Sequence, residues 1–509
     1  MIIGMTKSLH KLIALLLPML CLLSVALPVR AAEVKLPDIG SQANAVISLE
    51  DEYRLGSMVV RGLRDQGLLL EDPELNEYLQ NVGSRLVGQA QIPAGQTFKF
   101  FLVNDPAINA FALPGGFVGI NAGLLLASRN ENELAGVLAH EISHVTQRHI
   151  ARSMAAESRN SLVSTAAMLA AILVGAAAGG DVAIAGLAAA QSVALQNQMS
   201  FSRSNETEAD NVGINLMARA GYDPNGMWQF FEVIQRQIGS TNEADLPAII
   251  RSHPVTAERI AETRSRSARL GSRGVPDSLS YGLMRERMRV LMTPAGESAL
   301  QYYSGKIPDE NRADTVHLYG KALADMNSGN AAGAVQALTK LRDRQPAVMQ
   351  FHSALGQAQQ AGNDNTNAIA TLAQARDLFP RNVPITVRYG EVLMRAGNYK
   401  LAHNVLLDLF NNVPPTPDQA KLIAMAANSA GDVAEAYYYM SEYQIMGGDL
   451  SLAMSQLQMA LAVPEVTPVQ RARFEARLEE IQRAMPRKTR GGGFDDTDPR
   501  GGGSPRLAQ

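Results

Sequence analysis

Apolar residues recur at three- and four-residue spacing over Leu49 to Gln66 and again over Glu74 to Ala90, which predicts two amphipathic helices early in the chain. The pattern then changes period. Thr97 to Val103, TFKFFLV, alternates and is rich in β-forming residues, and Ala110 to Ile120, AFALPGGFVGI, reads as a hairpin turned at Pro114-Gly115-Gly116. Helical spacing returns over Asn130 to Arg152, NENELAGVLAHEISHVTQRHIAR. There Leu134, Val137, Leu138, Ile142 and Val145 make one stripe, and Asn130 with Glu133 three residues on supplies an N-terminal cap. A small sheet is expected just before this helix, and the two early helices are expected to cradle the candidate site.

Residues 161–197 are rich in Ala, Leu, Val and Gly and break at Gly179-Gly180-Asp181. Ser161 to Gly180 carries no charge over 20 residues, so two membrane spans are one reading. Alanine adds little to membrane insertion, however, and Gln191, Asn197 and Gln198 interrupt the second half. The favoured expectation is a helical hairpin beside the candidate site, acting as a mobile lid.

Beyond a helical connector around Tyr281 to Met292, the chain repeats itself. Pro346, Pro380 and Pro414 stand 34 residues apart, as do Ala334, Ala368, Ala402 and Ala436, and the earlier column Ala322, Gly356, Gly390 and Ala424. Small residues where two helices cross, with Pro closing the second helix, resemble the tetratricopeptide repeat, a stack of helical hairpins with a concave protein-binding surface. The register loosens after Gly448, where Asp449 to Pro464 is expected to pair with the Ala434 to Met446 helix. About four repeats and a terminal helix, Val469 to Met485, are expected, then a Gly-rich tail with no basis for a packed core.

A chain of 509 residues has room for two to four domains, and its formal charge of −3 gives no electrostatic case for a nucleic-acid partner. Residues 1–31 run from Lys7 and Lys11 through the apolar stretch Leu12 to Leu27 to Val29-Arg30-Ala31, the order of a cleaved secretory signal. Its removal takes three basic residues and shifts the formal charge to −6. Cys21 is the sole cysteine, lies within that segment and follows Pro18-Met19-Leu20 rather than the small residues that precede a lipid-modified Cys. The mature chain then has no thiol ligand and no disulfide, so any metal must be held by His and carboxylate.

The candidate chemistry sits in His140, Glu141 and His144, the pattern H-E-x-x-H. Positions i and i+4 share a helix face, so two imidazoles can reach one small cation, most readily Zn²⁺, while Glu141 beside them is free to take a proton from water. Downstream, Ser202 to Gly213 (SRSNETEADNVG) carries Glu206 and Asp210 four residues apart. Two histidines leave the ion short of a third protein ligand, which Glu206 can supply, and Asp210 can take the outer N–H of a ligand histidine; the plainer alternative is a solvated acidic pair. His253, before Pro254, is open to three readings: structural, hydrogen-bonded to the reacting oxyanion, or occupying the open zinc position and holding the site latent.

Asn109 to Leu125 (NAFALPGGFVGINAGLL), HEISH at 140–144, NETEAD at 205–210 and SHP at 252–254 together resemble the M48 zinc metallopeptidases, in the family's order and across most of residues 45–265. The resemblance implies that Glu206 is the third zinc ligand and that Asp210 supports a ligand histidine. A metzincin would need Gly and His where Gln147 and Ile150 stand, so His149 is expected to be a packed or capping histidine. A secreted M48 peptidase fused to tetratricopeptide repeats is similar to the bacterial periplasmic proteases that serve outer-membrane β-barrel assembly. That similarity implies unfolded or misassembled outer-membrane proteins as substrates, degradation of those that stall, and docking on the β-barrel assembly machinery through the repeats.

The fold expected is α+β, predominantly α: a zincin-like metallopeptidase domain with a small β-sheet, followed by an α-solenoid. Its parts are a signal peptide at 1–31, the peptidase at 32–270, a helical connector at 271–312, the solenoid at 313–485 and a tail at 486–509, with one Zn²⁺ per chain. The rival class is a chaperone or assembly adaptor with a silent or structural metal site. A third reading is a membrane-integrated peptidase, or one in peripheral contact with a membrane through residues 161–197.

Overall fold

The computed structural model of the protein describes residues 47–156, 202–238, 248–271, 276–294, 299–307 and 314–484. The signal, the 161–197 hairpin and the tail lie outside the described residues.

Helix α1 (Leu49–Asp65) is capped by the Ser48 hydroxyl and α2 (Pro73–Val87) by Asp72, whose carboxylate accepts from the Leu75 amide at 3.1 Å. Strands β1 (Lys99–Val103), β2 (Ala110–Leu113) and β3 (Phe117–Asn121) form one sheet in the order β1-β3-β2, with β1 parallel and β2 antiparallel to β3. The β2–β3 turn needs positive φ at Gly115 (78°) and Gly116 (87°), and a Cβ on Gly115 would lie 2.3 Å from the Tyr53 Cα. That close approach seats the hairpin on α1. Alternating strand residues face opposite ways: Phe101, Phe111, Leu113 and Phe117 pack on Leu55 and Val59 of α1, while Phe100, Ala110, Val118 and Ile120 join the larger core.

Beyond α3 (Ala122–Ala127) lies α4 (Glu131–Thr146), capped by the Asn130 side chain, which accepts from the Glu133 amide at 2.9 Å. The expected single helix over 130–152 is two. Arg148 has φ 51°, a left-handed conformation costing an L-residue about 1–2 kcal/mol, and it separates α4 from α5 (His149–Ala156). Its guanidinium offsets that cost by pairing with buried Glu52 and donating to the Ile47 carbonyl at 2.9 Å.

α6 (Arg203–Ala220), α7 (Asn225–Ile238), α8 (Ala248–Ser252) and α9 (Ala257–Leu270) complete the first half. A Cβ on Gly213 would stand 3.2 Å from the Ala139 carbonyl and 2.8 Å from the Met227 Cε, so glycine there lets α6 lie close along α4.

α10 (Leu279–Leu291) and α11 (Leu300–Lys306) lead into helical pairs: α12 (Thr315–Asn327) with α13 (Ala331–Arg344), α14 (Met349–Ala361) with α15 (Asn365–Leu378), α16 (Val383–Arg395) with α17 (Tyr399–Phe410), and α18 (Pro417–Ala430) with α19 (Val433–Met446). Their first helices begin at 315, 349, 383 and 417, the spacing of the small-residue columns. A Cβ on Gly356 would meet the Leu372 side chain at 2.6 Å, and one on Gly390 would meet the equivalent Leu406 at 2.9 Å. α20 (Leu450–Ala462) packs on α19 and α21 (Pro468–Ala484) on α20, closing the array.

One hydrophobic core runs from Leu75 through α4 and α10 to Phe351 and Ala358, so the first repeats share a core with the sheet-bearing half. Among the described residues, no helix is long and apolar enough to cross a membrane.

Candidate metal centre

α4 presents His140, Glu141 and His144, and α6 brings Glu206 and Asp210 against them. His253 follows α8, its amide donating to the Ile249 carbonyl at 2.8 Å. All six side chains are buried.

Four of them converge: one ligand atom each from His140, His144, Glu206 and His253, all within 4.8 Å of one another. His140 Nε2 lies 3.0 Å from His144 Nε2 and 3.3 Å from His253 Nδ1. Glu206 Oε1 lies 2.9 Å from His253 Nδ1 and 3.4 Å from His144 Nε2, with Oε2 3.5 Å from His140 Nε2. A tetrahedron with metal–ligand bonds of about 2.0 Å has edges of about 3.3 Å. These five spacings, 2.9 to 3.5 Å, lie on either side of that value.

Charge makes the same case. Among the described residues, the buried carboxylates of Glu141, Glu206 and Asp210 outnumber the buried guanidinium of Arg259 beside them, a negative excess that a cation would offset. Neither Glu141 oxygen accepts a hydrogen bond among the described residues, and His253 Nε2 stands 3.6 Å from Oε1. A wholly buried carboxylate without donors is costly unless it has work to do at the site.

Asp210 Oδ1 lies 2.9 Å from His140 Nδ1, the nitrogen turned away from the cluster. Burial opposes charge on His140, but the Asp210 and Glu206 carboxylates outweigh it and push its pKa up to about 10. His144 goes the other way: burial, helped by the neighbouring His140 and His253, holds it well below the usual histidine range despite Glu206. Burial disfavours the Glu206 anion too, yet the facing histidines keep its pKa well below the ordinary carboxylate range.

Two further residues stand at the site: Arg259, which the sequence does not mark, and His149, expected only as a packed or capping histidine. Arg259 of α9 donates from Nε and Nη2 to Asp210, both at 2.9 Å, and from Nη1 to the Pro254 carbonyl at 2.8 Å; Nη1 also lies 2.7 Å from Glu206 Oε2. One side chain thus ties the acidic pair to the loop carrying His253. A faint signal existed: Arg259, Thr263 and Ser267 recur every four residues, a polar stripe that is buried. The second is His149, which stands outside the four-atom cluster with its ring against His144, Nδ1 to Nδ1 at 2.9 Å. The left-handed turn at Arg148 puts it there, and no periodicity announces such a turn.

The profile of peptidase family M48 matches residues 73–267, and a tetratricopeptide-repeat profile matches residues 358–426. The beta-barrel assembly-enhancing protease of Escherichia coli K12 is 30% identical over 458 residues, covering 89% of this chain and 92% of its own. The protein of that name in Yersinia pestis is 31% identical over 462 residues, with the same coverage. The mitochondrial metalloendopeptidase OMA1 of Schizosaccharomyces pombe is 30% identical over 197 residues, 36% of this chain and 50% of its own.

Proposed function

This chain belongs to peptidase family M48, and from that membership we propose that His140, His144 and Glu206 hold one catalytic Zn²⁺ per chain, with Glu141 as general base and Asp210 orienting His140. Membership makes it a metallopeptidase; the assignment of residues is our reading. It rests on one observation: ligand atoms from His140, His144, Glu206 and His253, one from each, lie within 4.8 Å of one another, beside a buried carboxylate that accepts no hydrogen bond among the described residues.

Zinc in that cradle supplies Lewis acidity, polarising a peptide carbonyl and acidifying water. Glu141 takes the proton of the attacking water and returns it to the departing amide nitrogen. Asp210, gripped by Arg259, holds His140 with Nδ1 protonated, leaving Nε2 as the ligand. A substrate can reach the site by adding a strand to the sheet beside α4.

His253 is the latch in this reading. Four protein ligands make a closed, structural type of zinc site, whereas catalysis needs one position open. His253 sits on a short connection after α8, so its imidazole can leave the fourth corner and then hydrogen-bond the carbonyl oxygen as it becomes negative. His253→Ala should alter cleavage while zinc stays bound; a zinc-loaded variant cleaving like the parent would remove both roles.

The relatives' names carry the biology. We propose that the chain acts in the periplasm after loss of a signal peptide at 1–31, with the peptidase at 32–270, a connector at 271–312, the repeat solenoid at 313–485 and a tail at 486–509. In this role it assists outer-membrane β-barrel proteins to assemble, degrades stalled or misfolded ones, and meets the β-barrel assembly machinery through the repeats. Glu141→Gln decides between enzyme and adaptor. The variant should keep zinc and lose cleavage of an unfolded outer-membrane protein; parent-like cleavage would end the mechanism, and a parent that neither binds zinc nor cleaves would favour the adaptor.

A further inference from the structure

The outer nitrogens of the two α4 histidines are engaged by different chemistry. His140 Nδ1 faces a carboxylate, Asp210 Oδ1, at 2.9 Å. His144 Nδ1 instead faces the Nδ1 of His149 at 2.9 Å, and the Nε2 of His149 faces Glu208 Oε2 at 3.1 Å. His149 is fully buried, whereas the Glu208 side chain is 36% exposed and is also held by Arg152 Nη2 at 3.0 Å.

We propose that His149 is a positioning residue for the metal centre, the middle member of a relay from Glu208 through His149 to His144. The inference rests on the reading of His144 as a zinc ligand through Nε2. A neutral imidazole that gives its Nε2 lone pair to a metal keeps its proton on Nδ1. That proton points at His149 Nδ1, which can accept it only if the His149 proton lies on Nε2. From Nε2 it is donated to the Glu208 carboxylate. One arrangement of protons satisfies every nitrogen in the chain, and it is the arrangement that presents His144 Nε2 as a ligand.

The backbone is built for this. Had α4 run on through residue 148, residue 149 would sit five positions past His144 and about 140° round the helix from it. The left-handed Arg148, held by Glu52 and the Ile47 carbonyl, swings the imidazole back onto His144. A conformation unfavourable for an L-residue is kept where its consequence is the placing of one ring against a ligand. The same α6 helix then supplies the ligand carboxylate Glu206 and the relay carboxylate Glu208.

Competition titrations of the full mature chain against a zinc-chelating chromophore test the relay, with thermal unfolding measured in parallel. His149→Leu should weaken zinc binding roughly 10- to 100-fold, the range for outer partners of ligand histidines. His149→Asn, whose amide oxygen can accept the same proton, should recover most of that loss. Glu208→Ala, partly exposed and needing no repacking, should weaken binding by roughly tenfold or less. Parent-like affinity in His149→Leu overturns the proposal, as does an Asn variant no better than Leu. If His149→Leu does not fold, Glu208→Ala decides alone, and unchanged affinity there is fatal. His144→Ala separates the two levels of argument: a parent that binds no zinc, or binds it equally without His144, overturns the proposed function as well. A zinc-binding parent that depends on His144 but ignores His149 and Glu208 overturns only the relay.

Discussion

Two of the buried clusters of charged side chains among the described residues are finished differently. Where α2 meets α10, α14 and α16, the carboxylates of Asp72 and Glu74 meet the guanidinium groups of Arg287 and Arg388, two charges of each sign. Asp72 accepts from Arg287 at 2.8 and 2.6 Å and from Arg388 at 2.9 Å. Glu74 accepts from Arg388 at 3.1 and 2.7 Å, from Gln357 at 3.0 Å and from the Ser353 hydroxyl. That cluster is balanced, so Glu74 is held below the ordinary carboxylate range: burial opposes its charge, and the two arginines outweigh it. At the metal centre the carboxylates outnumber the cations and Glu141 accepts nothing among the described residues. A completed ionic cluster joins elements; an incomplete one is poised for a cation and a proton.

Glu141→Gln should sharpen that contrast most. If Glu141 is the general base proposed above, its loss lowers turnover by about 10²- to 10⁴-fold. The same change removes a buried charge without removing a hydrogen bond, so thermal stability should hold or rise. A large fall in melting temperature would mean that Glu141 is structural after all. Chelation of zinc should likewise abolish cleavage while leaving the repeats folded, as read by circular dichroism.

The opposite outcome is expected at the balanced cluster. Arg287→Ala leaves Asp72 and Glu74 sharing one guanidinium in a buried site, and removing one partner of a buried pair costs about 3–5 kcal/mol. Zinc affinity and residual activity of the still-folded fraction should change little, because no ligand moves. If the variant loses zinc but not stability, the two clusters are coupled and the distinction between them fails.

What could be read from sequence follows from the same contrast. Helical spacing, the β2–β3 turn at Gly115-Gly116 and the 34-residue repeat columns are local signals, and each element formed where its period placed it. The one long helix expected over 130–152 was too long, because Arg148 breaks it by a tertiary contact to Glu52, 96 residues earlier in the chain. The sequence marks His149 only as a packed or capping histidine; the structure does pack it, and the same tertiary contact decides that it packs against His144. The four-residue spacing of Glu206 and Asp210 makes them candidates for a third ligand and its support, but a solvated acidic pair has the same spacing, and it is the family motif that favours the first reading. Arg259 and the Asp72–Arg388 pairing, 316 residues apart, leave no periodic trace. Long-range electrostatic partners are chosen by the folded packing and are invisible to a scan along the chain.

A smaller effect should follow from separating α4 and α6. Gly213→Val inserts side-chain atoms where only 3.2 Å separates the ideal Cβ from the Ala139 carbonyl. Overpacking of this kind costs about 1–3 kcal/mol, and it should displace Glu206 from the histidines, two turns away on the same helix. Zinc affinity is therefore expected to fall further than stability does. A variant that loses only stability would show that the metal cradle adjusts independently of this helix contact.

The least of these effects, and the most specific to the join between α2 and the repeats, concerns Glu77. Burial pushes its pKa from the ordinary 4.5 up to about 7, against two hydrogen bonds donated by Asn382 Nδ2 at 3.1 and 3.4 Å, with Glu74 nearby adding to the rise. A carboxyl whose folded pKa is raised binds its proton more tightly folded than unfolded. Its stabilising contribution is present in full below about 4.5 and is lost as pH rises through about 7. The parent should therefore lose stability between pH 5 and pH 8 relative to Glu77→Gln, which keeps a neutral acceptor for Asn382 at every pH. Denaturant midpoints of the two proteins should converge at pH 5 and separate at pH 8, with the variant higher. Parallel profiles would mean that Glu77 stays ionised in the join, held by the hydrogen bonds from Asn382 despite its burial and the nearby Glu74.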